Sequence, residues 1–374
     1  MQAERISNLF LKNKEVSLKH RYITNTHIEP LLEAVQTEII GRSVLNKPIY
    51  GFKLGSGTKK VLMWSQMHGN ESTTTKALFD LVNTFNNNDI AYILEACTLY
   101  IVPILNPDGA EAYTRLNANQ IDLNRDAQNQ TQPESKVLRK IFNDFKPHFC
   151  YNLHGQRTIF SAGKSNKQAT VSFLSPAQDK ACSVTANRKI SMEIIGVINR
   201  ALQTVVPGQV GVYDDAFNIN CVGDAFQSEN VPTILFEAGH YNNDYAREKT
   251  REFIYMSYLV SLSYIAKHTV TGAEYKPYFD IPENEKLFFD IIIKNAKTEN
   301  GIEDIAFLYK EILQNGQIEF LPICEKIGDL DGFFAHRYID ANKLLVLGAN
   351  KNTITVGSEN VFVLIKNEKI SLKA

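Results

Sequence analysis

The feature that most constrains this chain is a repeated alternation between short apolar segments and longer segments with helical periodicity. The apolar segments are residues 60–66, 97–105, 148–153 and 231–237. Short segments with almost no polar face are typical of strands that are buried on both sides. We therefore predict an α/β fold, in which a mixed, mostly parallel central sheet is covered by helices on both faces.

The segments between these strands carry apolar residues at helical spacing. Helices are predicted over about residues 72–85, 133–145, 181–206 and 244–268. Residues 1–45 are expected to form a mostly helical N-terminal segment, with a helix beginning at Pro30. Residues 46–272 are expected to form the main α/β domain.

The pattern of residues along the sequence changes after residue 275. Pro277 and Pro282 mark a linker-like stretch, and short β-rich runs separated by Gly and Asn follow it. These runs are residues 344–347, 353–356 and 361–365. Residues 275–374 are therefore predicted to form a small all-β module, whose residues do not indicate a function.

Composition and charge exclude several classes of function. The formal net charge of −1 gives no overall field that would gather nucleic acid or an anionic membrane, and no basic stripe with interleaved aromatic residues occurs. No run approaches the roughly 20 apolar residues that span a bilayer, and no secretory signal is evident. The five cysteines are scattered and form no C-x-x-C pair. We expect a cytoplasmic protein with no nucleic-acid or membrane partner.

Polar clusters follow the apolar strands, where open α/β sheets bind ligands. His68 and Glu71 lie three positions apart on a loop that leads into a helix, so both can reach one ion. Imidazole nitrogen and carboxylate oxygen suit Zn²⁺, and a catalytic zinc needs three protein ligands. His154, directly after the strand at 148–153, is the candidate for the third. A hydrogen-bonded structural role is the alternative for each histidine taken alone.

A second cluster is Asp122-Leu123-Asn124-Arg125. A histidine that binds a metal usually donates its other N–H to a carboxylate, and Asp122 could accept this bond from His68. The planar guanidinium of Arg125 suits a carboxylate in two hydrogen bonds, with Asn124 beside it. Taken without context, the same motif also fits a helix cap or a surface turn.

A carboxylate ends the last apolar strand, at Glu237. Placing a carboxylate there is costly unless it has a partner or a chemical role. Near a metal, Glu237 could take a proton from water and pass it to a leaving amine, which accelerates such reactions by about 10²–10⁴. Pairing with a basic residue is the structural alternative.

Together and in this order, the motifs resemble those of the zinc carboxypeptidase family, the M14 metallopeptidases. The resemblance spans about residues 45–270 and rests on His68-x-x-Glu71, Asn106-Pro107-Asp108-Gly109, Arg115, Asp122-Leu123-Asn124-Arg125, His154 and Glu237. It implies that His68, Glu71 and His154 bind one zinc ion per chain and that Glu237 is the general base.

The resemblance also implies roles in substrate binding. Arg115 matches the arginine that polarises the scissile carbonyl, and Asn124 with Arg125 matches the pair that binds the terminal carboxylate of the substrate. Tyr213 is the nearest candidate for the family's substrate-capping tyrosine, although Phe217 lies equally near the expected spacing.

Two acidic residues bear on specificity. The family usually continues Asn-Arg with Asn and an aromatic residue, whereas this chain has Asp126-Ala127. We expect Asp126 to place an extra negative charge beside the carboxylate-binding pair. Asp224 lies in the segment expected to form the specificity pocket, where it would either select a basic group or serve the structure.

The resemblance implies a zinc metallocarboxypeptidase that hydrolyses the C-terminal peptide or peptide-like amide bond of a substrate with a free carboxylate, using a metal-activated water. The succinylglutamate desuccinylase and aspartoacylase enzymes are similar in two of the motifs and hydrolyse N-acyl amino acids, so they are the nearest alternative. The long segment 155–230 and the glycine-poor run 71–77 favour the peptidase. A zinc-dependent peptide-binding protein without catalysis is a third hypothesis.

Overall fold

The computed structural model of the chain describes residues 2–349 and 351–374. Its helices are α1 (Ala3–Asn13), α2 (Asn25–Leu32), α3 (Thr73–Thr84), α4 (Ala91–Ala96), α5 (Pro107–Ala112), α6 (Pro133–Phe145), α7 (Ala186–Leu202), α8 (Val222–Ser228) and α9 (Glu248–Lys267). Short 3₁₀ turns lie at Asn88–Ile90, Leu123–Arg125 and Lys276–Asp280.

The strands form a large sheet in the first three quarters of the chain and smaller sheets after it. They are β1 (Thr37–Arg42), β2 (Pro48–Leu54), β3 (Lys59–Ser65), β4 (Cys97–Val102), β5 (Phe149–Gly155), β6 (Phe160–Ala162), β7 (Val171–Leu174), β8 (Val210–Val212), β9 (Thr233–Ala238), β10 (Asn284–Lys286), β11 (Phe288–Thr298), β12 (Gly301–Gln314), β13 (Gln317–Gly328), β14 (Phe334–Asp340), β15 (Val346–Leu347), β16 (Phe362–Ile365) and β17 (Glu368–Ser371).

The large sheet has eight strands in the order β1-β2-β4-β3-β5-β9-β7-β8. Strands β4, β3, β5 and β9 run parallel to one another at its centre. Antiparallel pairs flank this centre, where β2 joins β4 and β7 joins β9. The predicted mixed, mostly parallel sheet is confirmed.

Both faces of the sheet are covered, as the apolar segments predicted. Along β3, Val61 and Met63 point into the core under α1, α3, α7 and α9. Leu62 and Trp64 point into a second core with α6 and α8 on the opposite face. All four side chains are fully buried. Complete burial of one such side chain contributes about 1.5–3 kcal/mol, so a strand at this position needs apolar residues on both faces.

The N-terminal segment differs from its prediction. The helix expected to begin at Pro30 instead contains Pro30 near its end, because α2 covers Asn25–Leu32. Thr24 caps this helix, and its backbone N–H donates to Nδ1 of His27 at 3.2 Å. Residues 37–42 are not helical but form β1, an edge strand of the large sheet. The domain boundary at residue 45 stays a prediction.

The region after residue 275 is β-rich, as expected. Strands β13, β12, β11 and β14 form a four-stranded sheet, and β15, β16 and β17 form a three-stranded one. The runs at 344–347 and 361–365 correspond to β15 and β16, but the run at 353–356 forms no strand. Its residues lie in an irregular segment, although Ile354 is buried against the small sheets.

Among the described residues, no helix combines the length and the apolar character that a bilayer span requires. The cytoplasmic location stays a prediction.

Candidate active site

Strand ends bring the candidate residues together at one edge of the large sheet. His68 follows β3 after a short loop, and His154 lies near the end of β5. Glu237 lies at the end of β9, directly beside His154 in the parallel register of the two strands. The sheet therefore brings together residues that are up to 169 positions apart.

The loop that carries His68 has an uncommon backbone conformation. Gln66 has a φ of +43° and is fully buried. Its amide donates to the carbonyl oxygens of Gly69 at 2.9 Å and Ile23 at 3.0 Å. Its own amide oxygen accepts from the Thr75 hydroxyl at 2.8 Å. These bonds to both sides of the loop offset the conformational cost and hold the following histidine.

The turn Asn106-Pro107-Asp108-Gly109 packs against the same loop. A Cβ atom on Gly69 would lie 1.9 Å from the carbonyl carbon of Gly109, so the two backbones approach too closely for any side chain. Asn106 caps the turn by accepting from the Gly109 N–H at 2.9 Å and donates to the Met67 carbonyl at 3.2 Å. The motif thus positions His68 by supporting its loop, and none of the four residues of the motif is itself a proposed metal ligand.

His68, Glu71 and His154 converge on one point. Each offers one ligand atom, and these atoms lie within 4.8 Å of one another. The Nδ1 atoms of the two histidines are 3.0 Å apart, and each lies 2.9–3.0 Å from a carboxylate oxygen of Glu71. The Gly155 N–H also donates to Glu71 at 3.0 Å and fixes its orientation.

This donor set fits a zinc ion. Ligand atoms in a tetrahedral zinc site lie about 3.3 Å apart, so the observed spacing needs to expand by only about 0.3 Å. The lone pairs of these histidine nitrogens and carboxylate oxygens repel one another at this distance unless a proton or a cation lies between them.

Electrostatics agree with a central cation. Burial would lower the pKa of His68, but the carboxylates of Glu71 and Asp122 raise it. Burial would raise the pKa of Glu71, but the charge of His68 and hydrogen bonds from both histidines hold it well below its usual range. Burial lowers the pKa of His154, which favours the neutral ring that a metal ligand needs.

Asp122 orients His68. The Nε2 atom of His68 lies 3.0 Å from Asp122 Oδ1, which also accepts from the Asn124 N–H at 2.9 Å. Arg115 donates to the other oxygen from Nε at 3.1 Å and from a terminal nitrogen at 2.9 Å. Its second terminal nitrogen lies 3.1 Å from Nδ1 of His68. Arg115 thereby presents its guanidinium to the metal-binding group, with 46% of its side chain exposed.

Glu237 is a carboxylate with a free oxygen. Its Oε2 atom is buried and has no hydrogen-bond partner among the described residues. Burial and the negative charge of Glu71 raise the pKa of Glu237 well above its usual range, while Arg115 and Arg247 oppose this rise. A carboxyl group in such surroundings is suited to accept and return a proton.

Arg247 supports these strand ends and was not predicted from the sequence. Its buried guanidinium donates to the carbonyl oxygens of Ala238, the last residue of β9, of Gly239 after it, and of Gln156 after β5. It therefore ties together the strand ends that carry His154 and Glu237. No local motif marks Arg247, because its partners are backbone atoms that the fold brings close.

The predicted carboxylate-binding pair lies beside the start of α8. Asn124 accepts from the Val222 N–H at 3.0 Å, which fixes its amide. Arg125 is exposed and donates to the Asn124 carbonyl at 2.7 Å and to Cys221 Sγ at 3.2 Å. Within residues 2–349 and 351–374, Arg125 makes no ion pair with a carboxylate. Its guanidinium can therefore accept one from a ligand.

The expectation for Asp126 is wrong. Its buried carboxylate points away from the cavity and accepts from the N–H groups of Thr131 and Gln132 at 2.9 and 3.0 Å. Asp126 therefore fixes the chain just before α6 and does not line the cavity beside Arg125. Sequence alone could not show which way the side chain turns.

The other two specificity candidates do line the cavity. Tyr213 lies at its wall, with its ring 5.4 Å from that of Phe160, whereas Phe217 is not among the lining residues. Asp224 is buried in the wall and accepts from the Asn218 N–H at 3.3 Å. Burial raises the pKa of Asp224 to about 6.

A cavity of about 890 Å³ joins these groups. This size lies within the range of pockets that hold small ligands, about 300–1,000 Å³. Residues of the N-terminal segment and of the β-rich C-terminal region complete its wall: Arg21, Leu308, Tyr309, Lys310, Glu311, Ile323 and Glu325. The sequence left the role of the C-terminal region open, and the structure brings this region to the site.

The fold and the site together define a class of protein, and comparison with known families agrees. The model of the zinc carboxypeptidase family, peptidase M14, matches residues 32–255, which is more than half of the chain. The chain belongs to this family of zinc-dependent hydrolases, and the resemblance inferred from the motifs is confirmed.

Individual relatives are distant. Carboxypeptidase 2 of Trichophyton rubrum is 28% identical over 112 residues, which cover 29% of this chain and 20% of that protein. Carboxypeptidase SOL1 of Arabidopsis thaliana is 27% identical over 169 residues, or 37% of this chain and 34% of that protein. The match thus spans at most about a third of either relative.

Solved structures show the same fold. A metallo-carboxypeptidase from Burkholderia cenocepacia superimposes with a TM-score of 0.50 and 17% identity, over 64% of this chain and 69% of that one. At this identity the likeness concerns the fold alone.

Proposed function

We propose that this chain is a metallocarboxypeptidase that hydrolyses the C-terminal peptide or peptide-like amide bond of its substrate. The observation that carries the proposal is the convergence of His68, Glu71 and His154 beside Glu237, at the carboxyl ends of β3, β5 and β9. Three ligands with a proton-accepting carboxylate next to them are what metal-assisted hydrolysis requires.

The three ligands would hold one zinc ion, with Asp122 fixing the ring of His68. Zinc, when bound, lowers the pKa of water to about 7 and polarises a carbonyl group. Glu237 would take the proton from the attacking water and deliver it to the leaving amine. Its unpaired oxygen and raised pKa support both steps.

Arg115 would stabilise the negative charge that develops on the substrate carbonyl oxygen. Its guanidinium already faces the ligands and is held by Asp122 through two hydrogen bonds. A donor positioned in advance needs no reorganisation during the reaction, and removing one such donor costs about 10²–10³ in rate.

Asn124 and Arg125 would bind the terminal carboxylate of the substrate. The exposed guanidinium of Arg125 can form two parallel hydrogen bonds with it. An anchor fixed in the same cavity as the metal ligands would select the bond next to the chain end, and its binding energy would position the reacting carbonyl. Tyr213 is proposed to close over the bound substrate from the cavity wall.

The test is metal analysis together with product analysis. About one zinc per chain, and release of single C-terminal residues that stops on chelation, are expected. The Glu237→Gln variant should keep its zinc and lose about 10²–10⁴ in turnover. Normal turnover in the zinc-loaded variant would contradict the role of Glu237.

The same assay distinguishes the proposed carboxypeptidase from the alternative functions. Release of acetate or succinate from acyl amino acids, with peptides left intact, would assign the chain to the N-acyl amino acid hydrolases instead. Zinc and peptide binding without any hydrolysis would indicate a non-catalytic binding protein.

A further inference from the structure

We propose that the hairpin β12–β13 of the C-terminal region is the far wall of the substrate cavity and restricts the enzyme to short substrates. This inference rests on the proposed function, because it concerns the substrates of the same site. The hairpin is termed the wall below, and its cavity-lining residues are Leu308, Tyr309, Lys310, Glu311, Ile323 and Glu325.

The wall lies at the opposite end of a chain of contacts from the carboxylate-binding pair. Asn124 shares the carboxylate of Asp122 with His68. His68 contacts Glu71, and the next residue, Ser72, donates its hydroxyl to the Arg21 carbonyl. Arg21 in turn forms an ion pair with Glu311 of the wall. Arg125, the metal-binding group and the wall all line one cavity, so we infer that a substrate anchored at Arg125 crosses the metal-binding group and meets the wall.

The wall is fastened at Glu311. Arg21 pairs with one carboxylate oxygen of Glu311, and the Tyr113 hydroxyl donates to the other at 2.6 Å. Only 11% of the Arg21 side chain and 23% of Glu311 are exposed, so this ion pair is largely removed from water. Tyr113 is the C-cap of α5 and lies two residues before Arg115, so the wall is attached to the segment that carries a proposed catalytic group.

A second attachment lies at Asp290 on β11. Its buried carboxylate accepts from the Tyr245 hydroxyl at 2.8 Å, the Tyr309 N–H at 2.7 Å and the Thr158 hydroxyl at 3.2 Å. Thr158 follows β5 and Tyr245 follows β9. Asp290 therefore connects the wall to both strands that carry His154 and Glu237.

Further contacts make the attachment rigid. Nε2 of His336 donates to the Thr158 carbonyl at 2.8 Å, and β10 pairs with β6 in a small antiparallel sheet. The Tyr245 ring packs on those of Tyr309 and Phe320 at 5.1 and 5.2 Å. Each such aromatic pair adds about 0.5–1.5 kcal/mol beyond burial. A wall held in this way sets a fixed limit to the cavity.

The volume sets the length of the substrate. A cavity of about 890 Å³ has the same volume as a cube about 10 Å on edge. An extended peptide advances about 3.3–3.6 Å per residue, so we infer that a cavity of this volume accommodates about three residues. Longer chains would meet the side chains of β12 and β13.

The test measures kcat/KM for peptides that share one C-terminal residue and grow from about two to eight residues. In the unmodified chain, kcat/KM is expected to fall at least about tenfold beyond about three residues, as steric exclusion from a rigid pocket does. Lys310→Ala with Glu325→Ala removes two exposed side chains from the wall and should raise the long-to-short ratio. Lys310→Trp places a bulkier side chain at the wall and should lower this ratio.

The matched control is Glu319→Ala with Lys326→Ala. Both residues lie on β13 and are exposed, but neither lines the cavity. This pair should leave the length profile unchanged. A Glu311→Gln variant keeps the shape of the side chain but weakens the Arg21 attachment, and should raise the long-to-short ratio with the fold intact.

A binding measurement separates this proposal from the proposed function. Calorimetric titration of the same peptides into the zinc-loaded Glu237→Gln variant reports the length limit without turnover. If binding shows the limit and its shift with Lys310 but no peptide is hydrolysed, the wall is supported and the proposed reaction fails. Hydrolysis and binding that do not depend on peptide length, or a limit that neither Lys310 variant moves, would overturn the wall.

Discussion

Replacing Asp122 with asparagine tests how strongly the metal group depends on its neighbours. Asp122 accepts from His68 with one oxygen and from Arg115 with the other. An asparagine has one acceptor oxygen, so the Asp122→Asn variant can satisfy His68 or Arg115 but not both. It also removes the negative charge that strengthens the bond from His68.

The magnitude follows from the two bonds. A hydrogen bond to a charged group contributes about 1.5–3 kcal/mol and a neutral one about 1 kcal/mol. The hydrogen bond from His68 to residue 122 is therefore weakened by about 1–2 kcal/mol. The exposed Arg115 adds little because water solvates its freed guanidinium. Loss of the carboxylate behind a metal-binding histidine typically weakens metal affinity about 10–100-fold. We therefore expect zinc affinity to fall about tenfold, or about 1.4 kcal/mol.

The assay is competition for zinc with a chelator of known affinity, on the folded chain. Asp214→Asn is the control, because Asp214 is an exposed acidic residue lining the same cavity and, among residues 2–349 and 351–374, its carboxylate accepts only from the Ala216 N–H at 2.6 Å. Zinc affinity of Asp122→Asn within about twofold of the control would refute the idea that Asp122 orients His68.

Three further predictions concern stability. Arg251→Leu leaves the fully buried carboxylate of Asp80 unpaired, and should lower the free energy of unfolding in urea by about 3–5 kcal/mol; a loss under about 1 kcal/mol would contradict the ion pair. Burial would raise the pKa of Glu248, but the Lys76 ammonium lowers it from 4.5 to about 2, so the stability it contributes is complete above pH 4.5 and lost as pH falls towards 2. When acid unfolding is followed by circular dichroism, the stability of the Glu248→Gln variant should depend less on pH between pH 4.5 and about 2 than that of the unmodified chain. Gly69→Ala should cost about 1–3 kcal/mol in thermal unfolding, because its Cβ would meet backbone atoms that cannot move aside.

Much of the fold was predictable because its signals are local. Helix α6 begins and ends at the predicted residues, since Pro133 suits a first helical position and the apolar stripe ends at Phe145. The central strands were visible as apolar runs because both faces are buried. The start of α2 was missed because His27, rather than Glu or Gln, accepts from the capping residue Thr24.

The site was predictable only as far as its motifs reach. His68 and Glu71 share one turn, and His154 and Glu237 end apolar strands, so position in the sequence indicated position in space. Arg247 acts through backbone carbonyls of distant segments, which leave no pattern. The contribution of Glu311 depends on how the C-terminal sheet packs, and its partners are far away in the sequence.

The attachment of the wall has a consequence for the order in which the protein is made. His154 leaves the ribosome 157 residues before Glu311, and at about 5–20 residues per second this interval lasts about 8–30 s. The central strands can pair during this time, since β3, β4 and β5 lie within the first 155 residues. The metal-binding group can therefore assemble while the cavity is still open on one side. Under the proposed length limit, a nascent chain that has completed β9 but not β12 would lack the wall.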